Sequence, residues 1–138
     1  MTDDTSTGFR GLVVWQKAQA FALHVAKLAS TLPQSAETRA IGPQLVRAAG
    51  SVPANVAEGY GRYSQGAYRN HLSIARGSLF ESESWIDLLF QAGHITSQVN
   101  DELLEQCHEL ARLLTQRMKA LEKTQGPRIR EVEEEYRA

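Results

Sequence analysis

The sequence predicts an all-α protein, and specifically an up-and-down antiparallel four-helix bundle. Apolar residues recur at steps of three and four along four separate stretches of the 138-residue chain, which is the period of an amphipathic helix. Proline and glycine fall between these stretches, where helices begin and end. Apart from the short stretch FRGLVVW near the start, no alternation of apolar and polar residues indicates a strand. Four helices with short connections are typical of an up-and-down bundle.

The first two helices are separated by a proline-bounded segment. Residues 14–32 show one continuous apolar face, and Pro33 ends the first helix. We predict a loop over residues 33–42. Pro43 suits the first turn of the second helix, which then extends over residues 43–63.

The third and fourth helices follow after two short breaks. The third helix is predicted over residues 67–92, where Gly93 stops it. The fourth helix begins at Ser97 or Gln98 and extends through residue 121. Its predicted apolar stripe consists of Leu104, Cys107, Ala111, Leu114, Met118 and Leu121.

The chain therefore divides into one domain with two tails. We predict an N-terminal tail over residues 1–8, the bundle over residues 9–123 and a charged C-terminal tail over residues 124–138. The C-terminal tail has too few apolar residues to fold alone.

Composition and charge limit the possible functions. The chain is 42% hydrophobic and has a net charge of −1, so no strong overall field indicates a nucleic-acid or membrane partner. A single cysteine and a polar start predict a cytoplasmic protein without disulfides or a membrane span. Residues 10–76 have a local charge of +6, whereas residues 77–138 have −5. Such asymmetry indicates an anionic partner or self-complementary assembly; an ordinary mixed surface is the alternative.

The second predicted helix leaves little of its circumference for long solvated side chains. One face is apolar, and a second face contains only small residues, which permit close approach of another helix. The third predicted helix also has a second apolar stripe. We predict a homo-oligomer whose interface uses both surfaces; small residues exposed on a monomer are the alternative. The predicted interface residues are Gly50, Ala54, Ala57, Gly61, Ile74, Trp85 and Leu88.

A polar stripe follows the third face of the second helix. We predict that Glu58 pairs with Arg76, or failing that with Arg47 or Arg62, because a buried carboxylate needs a cation. Pro53 removes a backbone donor, so we expect a kink or a helix restart there, with Asn55 or an arginine satisfying freed carbonyls. The predicted structural polar network consists of Arg47, Ser51, Asn55, Glu58, Arg76, Ser78 and Glu81.

The sequence contains no convincing catalytic or metal-binding constellation. Glu105 and His108 have the Glu-x-x-His spacing of di-iron bundles, but such sites need two of these motifs and two further glutamates. Cys107 has no histidine partner except its own neighbour, and adjacent helical residues point apart. We therefore predict a non-enzymatic protein without cofactor or metal, and leave a metal-binding bundle as a remote alternative.

Three stretches resemble one known family. VVWQKA (13–18), QLVRAAGSVPANVAEGYGR (44–62) and LSIARGSLFESE (72–83) are similar to small bacterial four-helix-bundle proteins encoded in intervening sequences of large-subunit ribosomal RNA genes. Their relatives include the accessory variability proteins of diversity-generating retroelements. The resemblance covers about residues 9–120. It implies a pentameric ring without established catalytic activity and, for the retroelement relatives, a basic surface that binds nucleic acid and a reverse transcriptase.

The function that these observations predict is a non-enzymatic homo-oligomeric scaffold. Its partners are other copies of itself and, by resemblance, RNA, DNA or a nucleic-acid enzyme; a structural or protein-binding ring without nucleic-acid affinity is the alternative. If nucleic acid binds, the basic half of the chain should provide the contacts. The residues predicted for this role are Arg10, Lys17, Lys27, Arg39, Arg62 and Arg69.

Overall fold

The computed structural model describes residues 8–123, and it confirms an all-α fold with four helices and no strand in that part of the chain. The tails predicted over residues 1–8 and 124–138 lie outside the described residues, except for Gly8. No helix within the described range has the length and apolar character needed to cross a membrane. The elements are a 3₁₀ turn (Gly8–Gly11), α1 (Val13–Thr31), α2 (Ala36–Tyr60), α3 (Gln65–Gln91) and α4 (Ser97–Lys123).

Each helix packs against its neighbours in sequence, and α1 also packs against α4, so the four helices close into a bundle. The pair α2 and α3 has the most extensive contact. Side-chain contacts show antiparallel neighbours: in α1 and α4, Lys17 pairs with Glu109 and the later His24 meets the earlier Gln106. This is the up-and-down arrangement that short connections favour.

The bundle core is built from large apolar side chains on all four helices. One part of the predicted α4 stripe is wrong: the fully buried residues of α4 include Leu103 and Leu110, whereas Leu104 is half-buried. The second helix also ends at Tyr60, before its predicted end at Tyr63, which is 83% exposed. The largest fully buried side chains of the four helices include Phe21, Leu45, Val52, Leu72, Leu79, Ile86, Leu103 and Leu114.

The predicted loop over residues 33–42 is wrong, because α2 already begins at Ala36. Ser35 caps it: its Oγ accepts from the Thr38 backbone N at 3.1 Å, and its backbone N donates to Thr38 Oγ1 at 3.0 Å. This reciprocal capping box is a local start signal. It outweighs Pro43, which lies inside the helix instead of opening it.

The second proline of α2 also fails to interrupt the helix. A single helix runs through Pro53, which is buried, so the expected restart does not occur. Asn55 donates its side-chain amide to the Ser51 carbonyl at 2.8 Å, so it does not serve the Ala49 carbonyl that proline leaves without its usual donor. The role of Asn55 lies in the contact between α2 and α3.

Candidate functional site

Gly59 is the point of closest approach between α2 and α3. A Cβ atom placed on Gly59 would lie 2.7 Å from His71 Cβ, 3.0 Å from Tyr68 Cδ1 and 3.2 Å from the Tyr68 backbone oxygen. Real Cβ atoms do not approach other heavy atoms so closely, and one of the three is backbone. Glycine is therefore required here for close helix packing, even though it is unfavourable in a helix interior.

A chain of polar side chains follows the same contact between α2 and α3. Ser78 Oγ donates to Ser51 Oγ at 2.9 Å, and Asn55 Nδ2 donates to Ser51 Oγ at 2.9 Å. Because the Asn55 amide nitrogen faces Ser51, its Oδ1 faces His71 and accepts from His71 Nδ1 at 3.1 Å. His71 Nε2 lies 3.3 Å from Glu58 Oε2. Half-buried polar groups are thereby satisfied where α2 and α3 meet, which fixes the register of the two helices.

The structure brings together Ser51, Asn55, Glu58 and Ser78 of the predicted network, and it adds His71, which the sequence analysis missed. No local signal identifies His71, because its partners Asn55 and Glu58 belong to the preceding helix. Only the antiparallel register of α2 and α3 brings them together.

Three members of the predicted network lie elsewhere. Arg47 donates to Gln44 at 3.3 Å, and Glu81 accepts from Trp85 Nε1 at 3.1 Å. Arg76 donates to Thr115 of α4 at 3.2 Å. Residues two positions apart on a helix do not share a face, so Arg76 points towards α4 while Ser78 points towards α2.

The cation that pairs with Glu58 is Arg62, at 3.0 Å, so the preferred partners Arg76 and Arg47 are wrong. Both side chains are about half exposed, at 52% for Glu58 and 51% for Arg62. This ion pair is therefore a surface pair one helical turn apart, and pairs of this kind contribute only a few tenths of a kcal/mol, on the order of 0.3–0.5. The ion pair lies at the end of the polar chain, where Glu58 also contacts His71. This location matters more to the structure than the small energy of the pair.

Seven small or apolar residues of the α2–α3 pair were predicted to form an oligomer interface, and five of them are exposed. Gly50, Ala54 and Gly61 are exposed, whereas Ala57 is half-buried. On α3, Ile74 and Leu88 are each 45% exposed, and Trp85 is half-buried. A groove of about 320 Å³ lies beside Trp85 and Leu88. We call these seven residues the outer face.

The residues predicted to bind nucleic acid do not form one patch. Arg10 precedes α1 and Arg39 lies in the first turn of α2, beside the other end of α1, roughly 28 Å away for a helix of that length. Two of the six are neutralised: Lys17 by Glu109 at 3.5 Å and Arg62 by Glu58. Lys27 and Arg39 are exposed, and neither has an ion pair within residues 8–123. Arg69 is half-buried.

A different group of cations does come together, in a groove between α3 and α4. Arg76, Arg112 and Lys119 line it with Thr115 and Gln116. Sequence analysis missed this group because it assigned the whole of α4 to the acidic half of the chain. The spacing of Arg112 and Lys119, seven residues apart on one helical face, was the available signal.

The described residues bring together no catalytic or metal-binding group. His24 Nδ1 donates to Gln106 Oε1 at 2.7 Å, and no three His, Cys, Asp or Glu side chains in residues 8–123 are placed to hold a metal ion. Cys107 is buried, and this burial, with a smaller effect of the Glu83 carboxylate, raises the pKa of its thiol to about 12. Since the thiolate is the reactive form, Cys107 is an inert core residue.

The fold and the site together define a class: all-α four-helix proteins in which a chain of polar groups joins two helices. The family model of the 23S rRNA-intervening sequence protein matches residues 10–116, and the chain belongs to this family. The match covers the whole of the α2–α3 pair and most of α4.

A solved structure supports this assignment. A protein of unknown function from the S23 ribosomal protein family of Bacteroides thetaiotaomicron is 26% identical, with a TM-score of 0.71. The similarity covers 78% of this chain and 99% of the other. A search among curated proteins found no match to this chain.

Proposed function

We propose that this protein is a non-enzymatic cytoplasmic scaffold that assembles with copies of itself, five in a ring, and presents a repeated surface to a partner. The observation that supports assembly is the outer face. The exposed side of a bundle helix in a monomer normally bears polar side chains, whereas the outer face exposes glycine, alanine, isoleucine and leucine beside the charged residues of the same helices.

Three features of the outer face fit a protein interface. Small residues on α2 allow another backbone to approach closely, as Gly59 already does within the chain. Exposed Ile74 and Leu88 provide apolar area that burial would remove from water. Trp85 is an aromatic residue of the type enriched at interfaces, and its indole nitrogen is held by Glu81.

Sedimentation equilibrium or light scattering of the purified full chain tests the assembly. We expect one species of about five times the chain mass of 15.3 kDa at micromolar concentration. A monomer at that concentration would contradict the proposed scaffold, and a dimer, trimer or tetramer would contradict the ring of five while leaving self-assembly in place.

We further propose that the partner of the assembly is RNA or DNA, bound through phosphate contacts. The support is two of the predicted cations, Lys27 and Arg39, which are exposed and have no ion pair within residues 8–123. A ring would repeat them around its circumference. Repetition converts weak individual contacts into avid binding. A ring that binds only proteins is the competing function, favoured by the net charge of −1.

Phosphate binding predicts a characteristic salt dependence. Affinity for mixed-sequence RNA should fall by orders of magnitude between about 50 and 200 mM salt if six or more phosphates are neutralised across the ring. The double variant Lys27→Gln/Arg39→Gln should weaken binding and reduce the slope of log affinity against log salt. A mobility-shift titration measures both quantities.

Arg62→Gln is the matched control, because Glu58 already neutralises Arg62 in the free protein. We expect it to change the affinity much less than the double variant. Absence of binding to RNA, single-stranded DNA and duplex at tens of micromolar protein would favour the protein-binding ring. Equal losses in the control and the double variant would contradict the assignment of Lys27 and Arg39.

A further inference from the structure

The groove between α3 and α4 is a cationic surface without a carboxylate. Half of its lining consists of Arg76, Arg112 and Lys119, all exposed, and it encloses about 350 Å³. Arg76 is positioned by its hydrogen bond to Thr115 and by the ring of Phe80, 4.7 Å from its guanidinium carbon. None of the three cations has an ion pair within residues 8–123. Three like charges held together without counter-charges favour an anionic occupant.

A second groove beside α4 is lined by carboxylates. Glu102, Glu105 and Glu109 line it with His24 of α1 and with Arg112, so Arg112 borders both grooves. Arg76 and Lys119 line the α3–α4 groove, whose lining includes no carboxylate. An acidic segment that follows α4 along the chain is therefore attracted to the α3–α4 groove and repelled by the carboxylates of the second groove.

Such a segment follows directly. Residues 131–135 have the sequence EVEEE, with four carboxylates and no cation. Gly126 and Pro127, a dipeptide that favours a turn, lie between α4 and this segment. Arg112 lies about 16 Å back along the helix from Lys123. The ten residues from 124 to 133 span up to roughly 33 Å when extended, so the segment reaches the whole groove after reversing direction.

We propose that the α3–α4 groove is the docking site of the acidic segment 131–135 of the same chain. Lys119 and Arg112 provide the positive charge that attracts the four carboxylates of this segment. The short connection favours this segment over a separate acidic molecule, because a linker of this length gives an effective concentration in the millimolar range. Docking is independent of the proposed ring and of nucleic-acid binding.

Zero-length carbodiimide cross-linking of the full chain tests this proposal, because it joins a lysine amine to a carboxylate only where the two are in contact. At about 10 mM salt we expect an amide between Lys119 and Glu131, Glu133, Glu134 or Glu135, identified by mass spectrometry of tryptic peptides. Its yield should fall several-fold at about 1 M salt, where the screening length is short. Arg112→Gln should also lower the yield several-fold.

The Lys17–Glu109 pair, 3.5 Å apart, is an internal positive control for the reaction. The proposal is overturned if this pair cross-links while Lys119 forms no product with the four glutamates. It is equally overturned if Lys27 on α1 reacts with them as readily as Lys119. A mixture of isotope-labelled and unlabelled chains completes the test: a product of mixed mass would show that the segment comes from a second copy and not from the same chain.

Discussion

Gly59→Ala should destabilise the protein by about 2 kcal/mol. The new methyl group would lie 2.7 Å from His71 Cβ and 3.2 Å from the Tyr68 carbonyl oxygen, so α2 and α3 must move apart. A 2.7 Å contact with a rigid Cβ atom places the overpacking cost at the upper end of its usual range, about 3 kcal/mol, and the gain of up to about 1 kcal/mol from replacing glycine by alanine in a helix offsets only part of it. Separation of the helices also lengthens the bonds from Asn55 to Ser51 and His71. Urea unfolding monitored by circular dichroism, at fixed protein concentration, measures the change.

Gly77→Ala, on the partner helix α3, is the matched control. Gly77 is exposed, and a Cβ atom placed on it meets no heavy atom within 4 Å, so this variant should be stabilised by up to about 1 kcal/mol. Both substitutions replace glycine by alanine in a helix, but we expect opposite changes in the free energy of unfolding. If Gly59→Ala were as stable as the wild type or more stable, the close approach of α2 and α3 would not be the reason for glycine at this position.

The helices could be predicted from sequence because their signals are local. The three- and four-residue period identified all four, and Gly93, expected to stop the third helix, has the left-handed φ of 81° that suits glycine after a helix. The start of α2 was mispredicted because Pro43 was given more weight than the capping box of Ser35 and Thr38. That signal is also local, because Ser35 and Thr38 are three residues apart in the sequence.

The partners of the polar side chains could not be predicted in the same way. Periodicity defines the faces of one helix, but the rotation of its neighbour decides which residues meet. Thus Ser51 and Asn55 were correctly placed in a polar network, while His71 was missed and Arg76 was assigned to the wrong side of α3. The cationic groove of Arg112 and Lys119 was missed because charges were summed over a stretch of sequence. The positions of the charged residues on the separate faces of α4 were not compared.

Ala54→Arg should dissociate the assembly into monomers. Ala54 is exposed at the centre of the small-residue surface of α2, so the long side chain is accommodated in a single chain without strain. Between two copies it would prevent close approach of the backbones and bury an unpaired charge. We expect the dissociation constant to rise on the order of 100-fold, equivalent to about 3 kcal/mol, which favours the 15.3 kDa chain at micromolar concentration.

Two further variants separate loss of assembly from loss of folding. Ala26→Arg places the same side chain at an exposed position of α1 outside the outer face, and it should leave the mass in solution unchanged. Leu88→Glu places a charge on the α3 part of the outer face, where Leu88 is 45% exposed. We expect it to dissociate the assembly, as Ala54→Arg does. Both dissociated variants should retain the helical circular dichroism of the wild type, because neither residue belongs to the core. Sedimentation of all three variants decides the matter: if Ala54→Arg and Leu88→Glu keep the wild-type mass, the outer face is a solvent-exposed surface and the copies associate elsewhere.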